Sequence, residues 1–205
     1  MQQIKNNTLS LNEIGIKFNT DKSSKCHGFL EFYDKELTPL RNKNIKLLEI
    51  GIFTGSSLKT WREYFTAGEI YGVDINKSYI NQSKNISGVH VSYLDQSKKQ
   101  ELINFFEKNG PFDIIIDDGS HIISHQKITL EIGLKYLNPK GIFILEDLHT
   151  SLPSQGKGYI DEPVTTLETV INLQDWDTYL SVKNTIGYKG CKSITSIIKN
   201  IEHEK

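Results

Sequence analysis

Asp117 and Asp118 close the run "DIIIDD", His121 follows three residues later, and one helix further on "ILED" delivers Glu146 and Asp147. Three consecutive isoleucines read as a buried strand, so the acids at its end are costly unless a cation or hydrogen-bond donors answer them. Carboxylates gathered in this way can hold a divalent cation of the magnesium type through hard oxygen ligands. A histidine beside them can take a proton near neutral pH. The pattern recurs along the chain. Glu49 ends an apolar run before "GIFTGSS", Asp74 ends "EIYGVD", and Asp95 follows "VHVSYL". Any one of these acids could instead cap the helix that follows, since Asp is a good N-cap. An acid at every strand end is harder to explain as capping. His121 and His125 stand four apart, yet "HIISH" lacks the glutamate of H-E-x-x-H and does not meet the zinc-protease pattern. His149, just beyond Asp147, is an alternative base or a substrate contact. His27 reads as structural or as a contact from the amino-terminal segment. Tyr33 and Tyr159 are candidates for lining an acceptor pocket, and Trp61 reads as core.

These side chains need a scaffold, and the periodicity supplies one. Strands are expected at 45–52, 69–75, 89–94, 112–117 and 138–147. Helices are expected at 56–65, after 75 to about 86, at 100–108 and at about 122–137, the last with Ile123, Leu130, Leu134 and Leu137 on one stripe. Strands alternating with helices predict an α/β, Rossmann-like, mostly parallel seven-stranded sheet flanked by helices. The near-continuous apolar strands fit a sheet covered on both faces. Residues 1–44 differ in character. Ser10 with Glu13 forms a capping box ahead of a short helix, and "FLEFYDKEL" (29–37) is a second helix. They predict a small helical cap belonging to the same domain as residues 45–205. Residues 148–162, rich in Gly and Pro, are expected to form a mobile loop. A helix near 163–175 and strands near 178–183 and 193–199 would complete the sheet.

In such a sheet, ligands bind at the carboxyl ends of the strands, which is where the acids fall. The formal net charge is -1 over 205 residues, without the basic footprint of a nucleic-acid binder. Two cysteines, Cys26 and Cys191, make no disulfide framework and point to a reducing cytoplasm. The first ten residues lack a signal-peptide core, and no apolar run approaches the roughly 18 residues of a membrane span. No phosphate-binding G-x-x-x-x-G-K-[ST] is present, and Gly51-Ile52-Phe53-Thr54-Gly55 does not spell G-x-G-x-x-G, although Asp74 stands where a ribose-binding acid would. An acidic rim suits a ligand with a ribose, an amino-acid end and a positive centre. S-adenosylmethionine has all three.

"LLEIGIFTGSSL", "IYGVDI", "DIIIDDGSH" and "GIFILED" resemble, in order, the motifs of class I S-adenosylmethionine-dependent methyltransferases. "NTDKSSKCHGFLEFYDKEL", "DDGSHI" and "ILEDLHTS" are similar to the metal-dependent sugar O-methyltransferases of macrolide glycosides, over roughly residues 15–155. The resemblance implies that Glu49, Gly51 and Gly55 shape the cofactor loop and that Asp74 holds the ribose. Asp95 and Gln96 would lie near the adenine, Asp117 near the methionine amino group, and Thr20, Asp21 and Lys22 would close over the cofactor. Asp118, Glu146 and Asp147 match magnesium ligands and His121, placed one turn into the following helix, the general base. The implied acceptor is a carbohydrate: a glycoside, a nucleotide sugar or a surface-polysaccharide precursor. A diol of the catechol kind, an amine, the hydroxylation chemistry of a related family and a non-catalytic cofactor-binding module are the alternatives. Self-association is left open. One departure stands out, because Phe53 or Thr54 occupies the place of a middle glycine.

Overall fold

The computed structural model describes residues 8–154, 156–173, 178–186 and 192–200. Cys191 and the far end of the helix expected over 163–175 lie outside these residues. The amino-terminal segment forms α1 (Leu11–Phe18) and α2 (Phe29–Leu37). The Ser10–Glu13 capping box is present: the Ser10 side chain accepts from the Glu13 amide and Glu13 reaches back to the Ser10 amide. Then β1 (Lys46–Ile50), α3 (Ser56–Tyr64), β2 (Glu69–Asp74), α4 (Lys77–Ser83), β3 (Val89–Tyr93), α5 (Lys99–Asn109), β4 (Phe112–Asp117), α6 (Ile123–Lys135) and β5 (Leu137–Leu145) alternate as the periodicity predicts. Helix α7 (Thr166–Asn172) and strands β6 (Thr178–Ile186) and β7 (Lys192–Asn200) follow.

The seven strands form one sheet in the order β3-β2-β1-β4-β5-β7-β6. The first five are parallel, and β7 pairs antiparallel with both β5 and β6. Alternate residues of each strand feed opposite layers, as the pleat requires. Leu47, Ile114, Ile116, Ile142 and Ile144 pack against α1, α2 and α3, through Leu11, Ile14, Phe29, Leu30, Tyr33, Leu58 and Trp61. Leu48, Ile115, Phe143 and Leu145 face the other way, against Leu102 and Phe106 of α5, Leu130 and Ile132 of α6 and Val170 of α7. The amino-terminal helices therefore share one apolar layer with α3 and the sheet.

Two boundaries differ from expectation. Leu137 is not on the stripe of α6. The helix stops at Lys135 and Leu137 opens β5, so the "NPKG" turn lies inside the strand's span. Helix α6 begins at Ile123, so His121 precedes it and is not a turn inside it. Among the described residues, no helix is long and apolar enough to cross a membrane.

The strand order reverses between β1 and β4, which leaves a crevice at their carboxyl ends where ligands of open α/β sheets bind. Backbone pairing runs one residue past the strands there. The amides of Gly51, Asp118 and Glu146 donate to the carbonyls of Val73, Ile50 and Asp117 at 2.8, 2.9 and 3.0 Å. Gly51 has φ +84°, and a Cβ there would lie 2.1 Å from the Asp118 carbonyl oxygen. Left-handed backbone and lost space act together, so Gly51→Ala should destabilise the fold by about 3 kcal/mol or more, read from urea unfolding midpoints.

Candidate active site

A cavity of about 670 Å³ occupies this crevice, within the usual size range of small-molecule sites. One wall is the loop after β1. Its path depends on Asp74, whose Oδ2 accepts the amides of Ile52 and Phe53 at 3.0 and 3.2 Å while Oδ1 accepts the Asn76 amide at 2.7 Å. Phe53 takes φ 44° and Gly55 φ 79°. A middle glycine would adopt the first of these without strain, and Phe53 adopts it despite its side chain. Phe53 is instead held by an edge-on contact with Tyr79, ring centroids 4.9 Å apart, and stays 62% exposed.

The two aspartates at the end of β4 point apart. Asp117 is fully buried; both of its oxygens accept from Gln96 Nε2 at 2.8 Å, and Oδ1 also accepts the Gly119 amide at 3.2 Å. Gln96 is fixed in turn, since its Oε1 accepts the Ser120 amide at 3.0 Å. Burial pushes Asp117 up to about 7, against the pull of these donors and of His121. Asp118 faces the cavity and the Lys22 ammonium. Lys22 is 2% exposed. Besides Asp118 it meets Glu146 Oε2 at 2.8 Å and Glu49 Oε1 at 3.8 Å. Burial alone would discharge it, but Asp118, Glu146 and Glu49 together hold its pKa well above the ordinary lysine value. Burial also raises Glu49, to about 7, against Lys22 and the Ser57 hydroxyl bonded to Oε2 at 2.7 Å. Glu146 is raised by burial and by the Asp118 charge, and its Oε1 has no hydrogen-bond partner among the described residues.

His121 and Asp147 complete the front of the site. His121 takes φ 59° and Asp147 φ 54°, a backbone conformation that marks constrained positions for residues other than glycine. His121 Nε2 lies 3.5 Å from Asp147 Oδ2, and His149 Nδ1 lies 3.6 Å from Asp147 Oδ1. Ligand atoms of Asp118, His121 and Asp147 lie within 4.8 Å of one another. The two carboxylates at that spacing are donors that fit a hard divalent cation, with the imidazole beside them. Of the three acids expected to share a metal, Asp118 and Asp147 come together with His121. Glu146 stands apart, turned to Lys22.

The other expected residues divide in the same way. Thr20, Asp21, Lys22, Gly51, Asp74, Asp95 and Gln96 line the cavity. Glu49 and Asp117 lie behind its wall, in contact with Lys22, Ser57 and Gln96. Asp95 is engaged with Ser97, accepting its amide at 2.9 Å and its hydroxyl at 2.7 Å. Tyr33 does not line this cavity. It is buried in the core with its hydroxyl 3.1 Å from Thr195 Oγ1, because its place on α2 faces the sheet. His27 stacks on Phe29 at 5.2 Å. Tyr159 lies beside His121, ring centroids 6.4 Å apart.

Ser120, Ile75 and Tyr79 also stand on the cavity wall; Ser120 and Ile75 sit inside the quoted motifs without a role having been read for them, and Tyr79 lies outside every motif. Sequence reasoning also missed how the stretch after β5 is secured. Leu148–Ser151 forms a 3₁₀ turn with Leu148, Thr150 and Ser151 buried. Helix α6 has no side-chain cap of its own. Its first amides donate to the Tyr159 carbonyl and to Asp161 Oδ1, each at 3.0 Å. Lys127 also pairs with Glu162. A cap supplied from 37 residues away leaves no local pattern to read.

Comparison with known proteins agrees with this architecture. A family model described as a methyltransferase domain matches residues 41–193. The chain is 32% identical over 149 residues to the mycinamicin VI 2''-O-methyltransferase of Micromonospora griseorubida, covering 69% of this chain and 36% of that protein. It is 35% identical over 153 residues to the L-olivosyl-oleandolide 3-O-methyltransferase of Streptomyces antibioticus, covering 71% and 39%. It also superposes on the solved structure of the MycE methyltransferase from the mycinamycin biosynthetic pathway in complex with Mg, SAH and mycinamycin VI. The TM-score is 0.79 at 26% identity, with 96% of this chain and 56% of that chain covered. The matches span about two fifths of the length of these two curated relatives.

The raised acids set a pH dependence. Between about pH 4 and 7, folded Asp117 and Glu49 keep protons that the unfolded chain has released, so stability falls as pH rises through that window and levels off above it. Glu49→Gln removes one such contribution. Urea midpoints measured across the window should fall less steeply for the variant than for the wild type.

Proposed function

Because the chain belongs to the methyltransferase-domain family, whose model covers residues 41–193, we propose that it transfers a methyl group from S-adenosylmethionine to a sugar hydroxyl with the help of a divalent cation. The acceptor would be a glycoside, a nucleotide sugar or a surface-polysaccharide precursor, and the chain would work in the cytoplasm. The observation that carries the reading is the meeting of Asp118, His121 and Asp147 at a cavity whose other wall is the Asp74-bound glycine loop. The named activities of the relatives and the Mg and SAH bound to the structural neighbour support it.

S-adenosylmethionine, when bound, supplies a methyl group already activated by its sulfonium. A magnesium-like cation, when bound, lowers the pKa of a coordinated hydroxyl and fixes its place. The rest falls to the protein. Asp74 would hold the ribose hydroxyls while keeping its loop in shape. Thr20 and Asp21 would cover the cofactor, and Asp95 and Gln96 would border the adenine. Asp117 would act behind Gln96, as a charge near the amino-acid end. Asp118 and Asp147 would hold the cation, with Glu146 in reserve behind Lys22. His121 Nδ1 is buried, so Nε2 is the nitrogen available to an acceptor. It would take the hydroxyl proton, and Asp147 would stabilise the imidazolium that results. Holding acceptor and donor in line removes entropy from the barrier in advance.

Incubation with methyl-labelled S-adenosylmethionine, magnesium and a panel of nucleotide sugars and glycosides should label at least one carbohydrate, and a chelator should stop it. Asp118→Ala should abolish turnover while cofactor affinity, measured by calorimetry, survives. Labelling of an amine that persists in chelator would refute the metal-assisted sugar reading. His121→Asn should lower kcat about 100- to 10,000-fold, the range of a lost general base, with cofactor affinity unchanged. An unaltered kcat would remove His121 from that role.

A further inference from the structure

Lys22 has no part in the methyl transfer just described. It comes from the turn between α1 and α2, yet its ammonium ends among acids from three strands: Glu49 in β1, Asp118 after β4 and Glu146 after β5. An ammonium offers three donors and no acceptor, and its hydrogen-bond and ion-pair partners among the described residues are carboxylates. One lysine faces three carboxyl groups, and Asp147 stands as a fourth beside Asp118. Asp118 therefore belongs to two sets at once. One of its oxygens is bound to Lys22, and the same residue is grouped with His121 and Asp147 at metal-ligand spacing. Whatever cation occupies the second set shares the neutralisation of Asp118 and Glu146 with the lysine.

We propose that Lys22 is a positioning residue, the built-in counter-cation that keeps Asp118 and Glu146 in place before a divalent cation arrives and whose charge moderates how tightly that cation is held. The inference rests on the metal-assisted reading above. Removing one member of a buried ion cluster strands its partners, so without Lys22 the fold comes to depend on the metal. A coupling between two cations is reciprocal: if the lysine weakens metal binding, the metal must lessen the need for the lysine.

The test compares wild type, Lys22→Met and Lys22→Arg by thermal unfolding and by isothermal titration with magnesium. Lys22→Met should melt lower without metal, show a metal-induced rise in Tm at least about twice that of the wild type, and bind magnesium about tenfold more tightly. Lys22→Arg, which keeps the charge, should respond as the wild type does. If Lys22→Met does not fold, the double variant Lys22→Met with Glu146→Gln removes one charge of each sign and should fold with a wild-type metal response; its failure to do so overturns the proposal. Equal metal affinities in wild type and Lys22→Met also overturn it, because a lysine that only fills space would leave the metal unaffected. In that case, chelator-sensitive methyl transfer by the wild type would leave the proposed function standing. No magnesium response in any variant would remove both.

Discussion

The pleat of one β-strand governs this site. Adjacent residues on a strand send their side chains to opposite faces, and at the end of β4 those residues are both aspartates. Asp117 turns inward to Gln96 and the Gly119 amide, and Asp118 turns to Lys22, His121 and the cavity. The divergence would be useless if the strand ends were ragged. The amide of Asp118 pairs back to Ile50 and that of Glu146 to Asp117, so acids from neighbouring strands arrive at one level. Gly51 permits this closeness, since its missing side chain is what lets β1 turn away directly over the Asp118 carbonyl.

Burying so many carboxylates is costly unless each is answered, and each answer here differs in kind. Asp117 is met by neutral donors and is left with a raised pKa. Glu49 has a hydroxyl and a distant ammonium. Asp118 and Glu146 share Lys22. Asp147 sits between two imidazoles. The result is a set of deeply buried acids with raised pKa values behind a cavity face that carries Asp118 and Asp147. A cationic cofactor and a metal would both be drawn to that face, while the interior acids act on them only through Gln96, Ser57 and Lys22.

Most of the scaffold was legible in the sequence, because apolar runs of period two and stripes of period 3.6 are local signals. Strands β1 to β4 and helices α2, α3 and α5 fall within a residue or two of expectation, and α1 starts directly after the Ser10 cap. The end of α6 was not legible: Leu137 continues a plausible helical stripe, and only its pairing with Phe112 makes it a strand residue. The presence of the site was equally plain, since acids at successive strand ends can be counted. Their orientation was not. Nothing local says that Lys22 dives into the acid cluster, that Asp117 stays behind Gln96, or that Asp161 caps a helix far from it in sequence. Those facts depend on tertiary distance, which the α/β topology creates and no short motif records.

The proposed chemistry requires oxygens of Asp118 and Asp147 to bind one divalent cation jointly beside His121. The most direct measurement is an anomalous difference map from crystals grown with manganese and S-adenosylhomocysteine, manganese standing in for magnesium. The account predicts a single strong peak within bonding distance of both carboxylates, with Lys22 still against Asp118. A map with no peak there, or a cation held elsewhere in the cavity, would contradict it.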